Sequence, residues 1–490
     1  MSFSSDDPVQ NPSSNPEKAS GIGRRDFIRK QAAAGAALLL GLGSSSPLQA
    51  ARTGSSGRAV DRPVSGRVTR KPAILGGDPV VQGSWPSWPQ WSRERDEPKL
   101  LEVMRSGVWS RAHTVDEFER EWAAITGARH AMTTVNGTNA LYCALANYDI
   151  GAGDEVITST YTFIATPQSI LLNNAIPVFA DTDPQTFQLD PDSVEERITE
   201  RTRAIMPVHI AGNPADMDRI MAIARRHDLI VVEDACQAWL AEWDYEQVGT
   251  IGNAGCYSFQ NSKNLPIGEG GAIVSNDESF INRCFSWHNY GNPYRSVQDP
   301  SGRGTVRRGN KLRMAEYQAA IGLTQLTKFR QETDQRNRTA RAMHEWFHEI
   351  EGVEPARLDE KVTRLAVHLF PFRFRSESFA GMNKSQFAEA LRAEGVPVST
   401  GYAPLNRMPF IREALESKNF RAIYPESVRN YDRWMERNAC PNNDHLCNEE
   451  ALWFTQNLFL ASKEELQWIP AAIEKVRENA SAIRQRLAGE

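Results

Sequence analysis

The chain predicts an α/β fold, with a large domain built on a mainly parallel sheet flanked by helices and a smaller α/β domain at its C-terminal end. Three observations predict it. Short runs rich in valine and isoleucine alternate with helical stretches from His130 onward, which is the pattern of βαβ units whose strands return parallel through crossover helices. At 490 residues the chain exceeds one ordinary domain. A long amphipathic segment, Met314 to Glu349, then separates the first set of strands from a second, shorter one.

The N-terminus reads as an address rather than as part of the fold. Arg24-Arg25-Asp26-Phe27-Ile28-Arg29-Lys30 precedes a small, apolar run from Ala32 to Gly43 and then Leu48-Gln49-Ala50. Charged region, apolar region and small-residue cleavage site make a signal peptide over residues 1–50, similar to a twin-arginine export signal. It implies passage through the twin-arginine translocase and a mature protein in the periplasm. The apolar run is too short to span a bilayer, and no later segment reads as a stable span. Residues 51–71, rich in Gly, Ser, Arg and Val, read as a flexible linker.

The large domain is expected over residues 72–330. Trp85-Pro86-Ser87-Trp88-Pro89-Gln90-Trp91 is barred from regular helix by its prolines, and its tryptophans are expected to cover a neighbouring surface, with an edge of the active site or a subunit contact as alternatives. Glu97 to Ile125 has helical spacing interrupted near Gly107 and Ala112. The expected strands are His130–Val135, Glu155–Ser159, Ile176–Phe179, Ala204–Ile210 and Leu229–Val232, with helices over Asn139–Ala146, Ser193–Ile198 and Ala215–Arg226. Met314 to Glu349 is too long for an ordinary single helix and is expected to bend or break. The smaller domain, 331–490, should hold a strand at His368–Phe374, a helix at Ser385–Glu394, a short strand after Gly395 and a closing helix over Lys463–Leu487.

Composition narrows the function. A net charge of -5, from 56 basic and 61 acidic residues, argues against a general nucleic-acid binder. Six scattered cysteines fit neither a disulfide framework nor a zinc ribbon. Cys440 and Cys447 are open to pairing or to remaining thiols.

The chemistry gathers around Lys263. It sits in a short polar loop between two apolar runs, Cys256–Phe259 and Ala272–Val274, followed by the run Gly268-Glu269-Gly270-Gly271 that lets a backbone approach a ligand closely. A solvated surface lysine is the plain alternative. Asp234, just past a strand-like run, favours a Schiff-base site instead. A carboxylate there holds a pyridine nitrogen protonated, and pyridoxal phosphate then acts as an electron sink. Gln237 lies within reach of the ring hydroxyl. A phosphate needs donors, and Asn136-Gly137-Thr138 stands between a strand and a helix, where free N–H groups and the helix dipole favour an anion. Ser258 offers a further hydroxyl. Of the two aromatic residues in Tyr161-Thr162-Phe163, Phe163 is the preferred ring to stack on the cofactor.

Taken in order, Asn136-Gly137-Thr138, Tyr161-Thr162-Phe163, Glu233-Asp234-Ala235-Cys236-Gln237-Ala238, Ser258-Phe259 with Lys263, and Gly268-Glu269-Gly270-Gly271 resemble the DegT/DnrJ/StrS-type sugar aminotransferases. Gln260 and Gly401-Tyr402-Ala403-Pro404-Leu405 resemble the branch holding scyllo-inosose aminotransferases and aminohydroxybenzoate synthases. The resemblance runs from about Ile74 to the C-terminal helix. It implies a fold-type I enzyme with a seven-stranded sheet and pyridoxal 5'-phosphate as cofactor. It also implies Lys263 as Schiff-base lysine and proton carrier, Asp234 on the pyridine nitrogen, Gln237 near the ring oxygen, Phe163 as stacking ring, and Gly137, Thr138 and Ser258 on the phosphate. Family members are homodimers in which an asparagine of a Gly-x-Asn-x-Arg pattern crosses to the partner's phosphate. This chain reads Gly309-Asn310-Lys311-Leu312-Arg313, so Lys311 stands in the asparagine's place, and either its ammonium or a shifted Asn310 would make the contact.

The expected activity is transfer of an amino group from glutamate or glutamine to a keto sugar, cyclitol or related polyol. A keto-sugar dehydratase and an exported, non-catalytic saccharide- or partner-binding protein are the alternatives.

Overall fold

Valine, isoleucine and threonine crowd the alternating runs, and each run becomes a buried strand. In a computed structural model that describes residues 70–293 and 308–489, the strands are β1 (His130–Thr134), β2 (Glu155–Ser159), β3 (Ile176–Ala180), β4 (Thr202–Met206), β5 (Ile230–Asp234), the short pair β6 (Glu242–Trp243) and β7 (Glu246–Gln247), β8 (Ala254–Ser258) and β9 (Gly271–Ser275). The expected signal peptide and all but the last two residues of the expected linker lie outside the described residues.

Seven of these strands form one sheet in the order β1-β9-β8-β5-β4-β2-β3, and β9 alone runs against the other six. β2, β3 and β8 are buried along their whole length, as expected of strands covered by helices on both faces. Because β1, β2, β5 and β8 point the same way, the segments that follow them emerge at one edge of the sheet, where ligands of such folds bind. The start of β9 lies at that edge too, since Gly271 pairs with both Thr134 and Ser258.

Most of the expected elements form within a residue or two of their predicted ends. The run predicted as one strand to Ile210 stops at Met206. Pro207 brings no N–H to a ladder, and Ala211 at φ 63° turns the chain into a short 3-10 helix, Ile210–Gly212. Helical spacing after Glu97 yields two helices, Arg93–Ser106 and His113–Thr126, the first closed by Gly107 at φ 71°.

The segment expected to bend or break is instead one continuous helix, Glu316–His348, and it carries the chain across residue 330. Beyond it, β10 (Val353–Pro355), β12 (Leu369–Phe374) and β13 (Ala451–Thr455) make an antiparallel three-stranded sheet, and β11 (Val362–Arg364) joins β6 and β7. Phe370, Phe372 and Phe374 alternate along β12 and are buried. Phe372 stacks on Phe454 with centroids 5.0 Å apart, and Phe347 of the long helix meets Phe370 edge-on at 5.5 Å, so rings from three elements close this core. The short strand expected directly after Gly395 does not form, and Ser399 there makes only an isolated bridge to Trp453. The predicted closing helix is three pieces, Lys463–Leu466, Trp468–Glu478 and Ala480–Ala488.

Four short helices between Pro409 and Arg437 fill a stretch with no expected element. They pack on the β2–β3 edge of the large sheet. Trp434 meets Phe179 at 5.8 Å, Tyr424 joins Gly153 N–H to the Asn174 carbonyl, and Arg437 pairs with the buried Glu155 at 2.7 Å. Glu155 also takes Arg201 and Thr199, and these partners overcome burial to hold its carboxyl down at about 2. All six cysteines are free thiols, so Cys440 and Cys447 are unpaired; their sulfurs lie near Phe179 O and Asn443 Oδ1. No helix among the described residues is long and apolar enough to cross a membrane.

Candidate active site

The carboxyl edge of the sheet collects most of the residues that the sequence marks. Asp234 ends β5 and is almost fully buried. Its Oδ2 accepts from Thr166 Oγ1 at 2.8 Å, and its Oδ1 accepts from Cys236 N–H at 3.2 Å. The residue before it explains why it holds still. Glu233 is wholly buried on the opposite face and accepts from the N–H groups of Gly249, Ile251 and Gly252 and from His209 Nε2. His209 Nδ1 accepts from Ala215 N–H, so its proton sits on Nε2. A carboxylate bound on all sides in this way fixes the strand end that presents Asp234.

Gln237 is also pinned. Its Oε1 accepts from Ala211 N–H at 3.0 Å, which turns Nε2 toward Tyr402 Oη, also at 3.0 Å. The amide was expected near a cofactor hydroxyl, and here it bonds a phenol from the far half of the chain. Burial pushes that phenol up to about 12, with the Gln237 hydrogen bond pulling the other way.

Gly137 opens the helix Gly137–Asn147, whose cap is Asn136 through Asn139 N–H. The first-turn amides of Gly137 and Thr138 have no partner within the helix. A Cβ on Gly137 would lie 2.7 Å from Ser258 Cβ and 2.8 Å from Cys236 Sγ, so only glycine lets the loop settle against β8. Ser258 itself is buried at the end of β8. Of the two aromatic candidates after β2, Tyr161 is 1% exposed and packs on Phe187 and Tyr402, whereas Phe163 is 46% exposed. A free aromatic face at this edge belongs to Phe163.

Lys263 follows β8, with its N–H on Gln260 O and its carbonyl accepting from Trp88 Nε1 at 3.1 Å. Burial draws its ammonium below the usual lysine value, while Cys236 and Asp234 oppose the shift. Nζ lies 3.4 Å from Nε2 of His368 and 5.8 Å from the centre of the Trp239 ring. Trp239, His368 and Tyr402 are the neighbours that the sequence does not assign to the site, whereas Trp88 belongs to the tryptophan run for which an active-site edge is one expectation. Asn310 and Lys311, at the foot of helix Glu278–His288, are exposed and bonded to the Trp287–Tyr290 backbone. Among the described residues no group of three or more His, Cys, Asp or Glu side chains is arranged to hold a metal ion.

This donor set fits pyridoxal phosphate. A glycine that must lie against β8 leaves room for a phosphate cradle, Phe163 has an open ring face, Asp234 is a held carboxylate and Lys263 is an amine whose pKa is lowered by burial.

The family model described as the DegT/DnrJ/EryC1/StrS aminotransferase family matches residues 91–451. The chain belongs to the DegT/DnrJ/EryC1/StrS aminotransferase family. It is an aminotransferase, and proteins of this family and of the fold-type I class use pyridoxal phosphate. Among the relatives is a putative L-glutamine:3-amino-2,3-dideoxy-scyllo-inosose aminotransferase of Micromonospora echinospora, 36% identical over 428 residues and covering 86% of this chain and 100% of that protein. An L-glutamine:2-deoxy-scyllo-inosose aminotransferase of Streptoalloteichus tenebrarius is 32% identical over 426 residues, 84% of this chain and 99% of its own length. The crystal structure of 3-amino-5-hydroxybenzoic acid synthase superposes with a TM-score of 0.70 at 30% identity, covering 81% of this chain and 99% of the other. These fold-type I neighbours and the sheet above give the architecture that the sequence predicts.

Proposed function

We propose that the enzyme carries an amino group from L-glutamine or glutamate to the ketone of a cyclitol or related keto sugar, using pyridoxal phosphate bound at Lys263. The observation that carries this reading is the cluster of Gly137, Asp234 and Lys263 at one edge of the sheet, in a chain that covers 99% of an L-glutamine:2-deoxy-scyllo-inosose aminotransferase. When bound, the cofactor supplies an electron sink that acidifies the carbon bearing the donor's amine. The chain's own residues do the rest. Gly137 and Thr138 N–H groups with Ser258 Oγ anchor the phosphate. Asp234, fixed by Thr166, would face the pyridine nitrogen and keep it protonated, and Phe163 would cover the ring. Lys263 would hold and move the proton at its Nζ.

The working unit in this proposal is a homodimer, in which Lys311 of the partner subunit, or Asn310 of the partner subunit, reaches the phosphate. Leu101, Met104, Val108 and Trp109 are all 40% or more exposed. Leu101 and Met104 are three residues apart on one helix, with Val108 and Trp109 just beyond its end, and an exposed apolar surface of this kind is suited to a second copy. Export through the twin-arginine pathway, which carries folded proteins, would deliver the enzyme to the periplasm with its cofactor aboard.

The test is a pair of half-reactions. The holoenzyme's visible band should shift to the amine form of the cofactor on adding L-glutamine and return on adding 2-deoxy-scyllo-inosose. Lys263→Ala should lack the starting band. A spectrum inert to both amino donors and to a panel of keto cyclitols and keto sugars would overturn the assignment.

A further inference from the structure

His368 and Asn264 form a built pair beside Lys263 that the chemistry above does not use. Asn264 Nδ2 donates to the carbonyls of Ala366 at 2.9 Å and Val367 at 3.3 Å. Turning the amide over would set its oxygen against two carbonyl oxygens, so Oδ1 must face the imidazole, where it lies 3.2 Å from Nδ1. An amide oxygen only accepts, hence Nδ1 carries the ring proton and Nε2 keeps a lone pair. That lone pair faces Lys263 Nζ.

We infer that His368 is a positioning residue for Lys263: Nε2 accepts one N–H of the lysine amine and so aims the amine's own lone pair at the reacting carbon. The inference rests on the proposed role of Lys263 in moving the proton. A neutral amine has two N–H bonds and one lone pair, and fixing one N–H on a rigid acceptor removes most of its rotational freedom.

The surroundings keep His368 an acceptor. It is buried, its ring meets the edge of Trp239 at 5.5 Å, and the charged groups facing it are both cations, Lys263 and Arg336. Arg336 is itself fully buried, bonded through Nε to Gln456 and lying over the Trp88 ring at 4.9 Å. Burial and these two cations hold the imidazole well below the usual histidine value. Lys263 in turn faces Asp234 and Cys236, which favour its charged form. A proton therefore goes to Lys263 rather than to His368, and the histidine orients the base without becoming one.

The experiment compares wild type with His368→Phe, which keeps a ring beside Trp239 but has no acceptor, and with His368→Gln, whose amide oxygen restores one. Competitive labelling of Lys263 by acetic anhydride across pH, read by peptide mass spectrometry on cofactor-free protein, gives the state of the amine without any turnover. Loss of a hydrogen bond to an ammonium should lower the apparent pKa of Lys263 by about one unit in His368→Phe, with recovery in His368→Gln. The glutamine half-reaction should slow by about tenfold in His368→Phe, with a larger α-deuterium isotope effect and an unchanged donor Kd. Labelling curves and isotope effects that overlay wild type in His368→Phe would overturn the inference. A shifted labelling curve in a protein that transfers no amino group would uphold the positioning and count against the proposed function instead. If His368→Phe melts early, the labelling curve of His368→Gln decides alone: a curve like wild type supports the acceptor role, and one displaced by a unit or more contradicts it.

Discussion

Replacing Gly137 by alanine places one methyl group where the structure has no room. The new Cβ would meet Ser258 Cβ at 2.7 Å, Cys236 Sγ at 2.8 Å and Ser258 Cα at 3.2 Å. Two of those atoms belong to the β8 backbone or lie one bond from it. The third is the thiol of half-buried Cys236, directed at Cys256 O. None can swing aside, so the strain falls on the loop between β1 and its helix, which must lift away from β8. Overpacking of this kind costs about 1–3 kcal/mol. Without the cofactor the loop relaxes outward and recovers much of that cost; with the phosphate in place it cannot. Since about 1.4 kcal/mol is a factor of ten in affinity, pyridoxal phosphate should bind Gly137→Ala roughly thirty-fold more weakly than wild type. The assay is a cofactor titration of stripped protein followed by absorbance and calorimetry, with thermal melts of the cofactor-free forms. Gly151→Ala is the control. Its Cβ meets only Asn173 O, at 3.3 Å, at the opposite end of β2. Wild-type affinity in Gly137→Ala with an unchanged melt would refute the claim that this close approach builds the phosphate site.

Three further outcomes follow from the structure. Asp234→Ala should fold, because Glu233 rather than Asp234 ties β5 to its neighbours, yet lose amino transfer by at least about a hundredfold as the pyridinium loses its counter-charge; pre-steady-state kinetics check it. Glu155→Gln should lower the unfolding free energy by about 2 kcal/mol in denaturant titrations, since Arg201 and Arg437 lose a shared carboxylate. Acid should destabilise the fold in stages. Burial holds His288 at about 3 and His344 at about 4 in the folded chain, so as pH falls below 6.5 the unfolded state takes up protons that the folded state refuses. Below 4.5 the same holds for Glu155 until its folded value of about 2. Stability therefore falls with pH by about 1.4 kcal/mol per unit for each group in its window, and His344→Phe should remove one group's share of that slope between pH 6.5 and 4.

The large sheet was legible in the sequence because burial on both faces writes strands as apolar runs. Glu155–Ser159 is recovered residue for residue. The run to Ile210 was misread since Val208 and Ile210 look strand-like, while the turn is set by a left-handed Ala211 that no residue type announces. The C-terminal segment has helical spacing throughout, yet Pro470 brings no amide to an i−4 bond and so sits where a helix is starting, and the chain breaks again at Asn479. The four helices after Pro409 are too short for periodicity to register, although Ser417 and Asn430 are serviceable caps. At the site, Lys263, Asp234 and Gly137 could be read because each follows a recognisable strand. His368 and Tyr402 could not. They reach Lys263 and Gln237 from 105 and 165 residues away, through contacts that only the packing of the C-terminal sheet creates.

The proposed transfer of an amino group onto a cyclitol or sugar ketone can be followed by isotope. Incubating the purified holoenzyme with L-glutamine labelled with 15N at its α-amine and a keto cyclitol, then weighing the products, tests it most directly. An aminocyclitol one mass unit heavier than its unlabelled counterpart should form with wild type and be absent with Lys263→Ala. Label that stays in glutamine, or leaves as ammonia without entering any keto cyclitol or keto sugar, would contradict it.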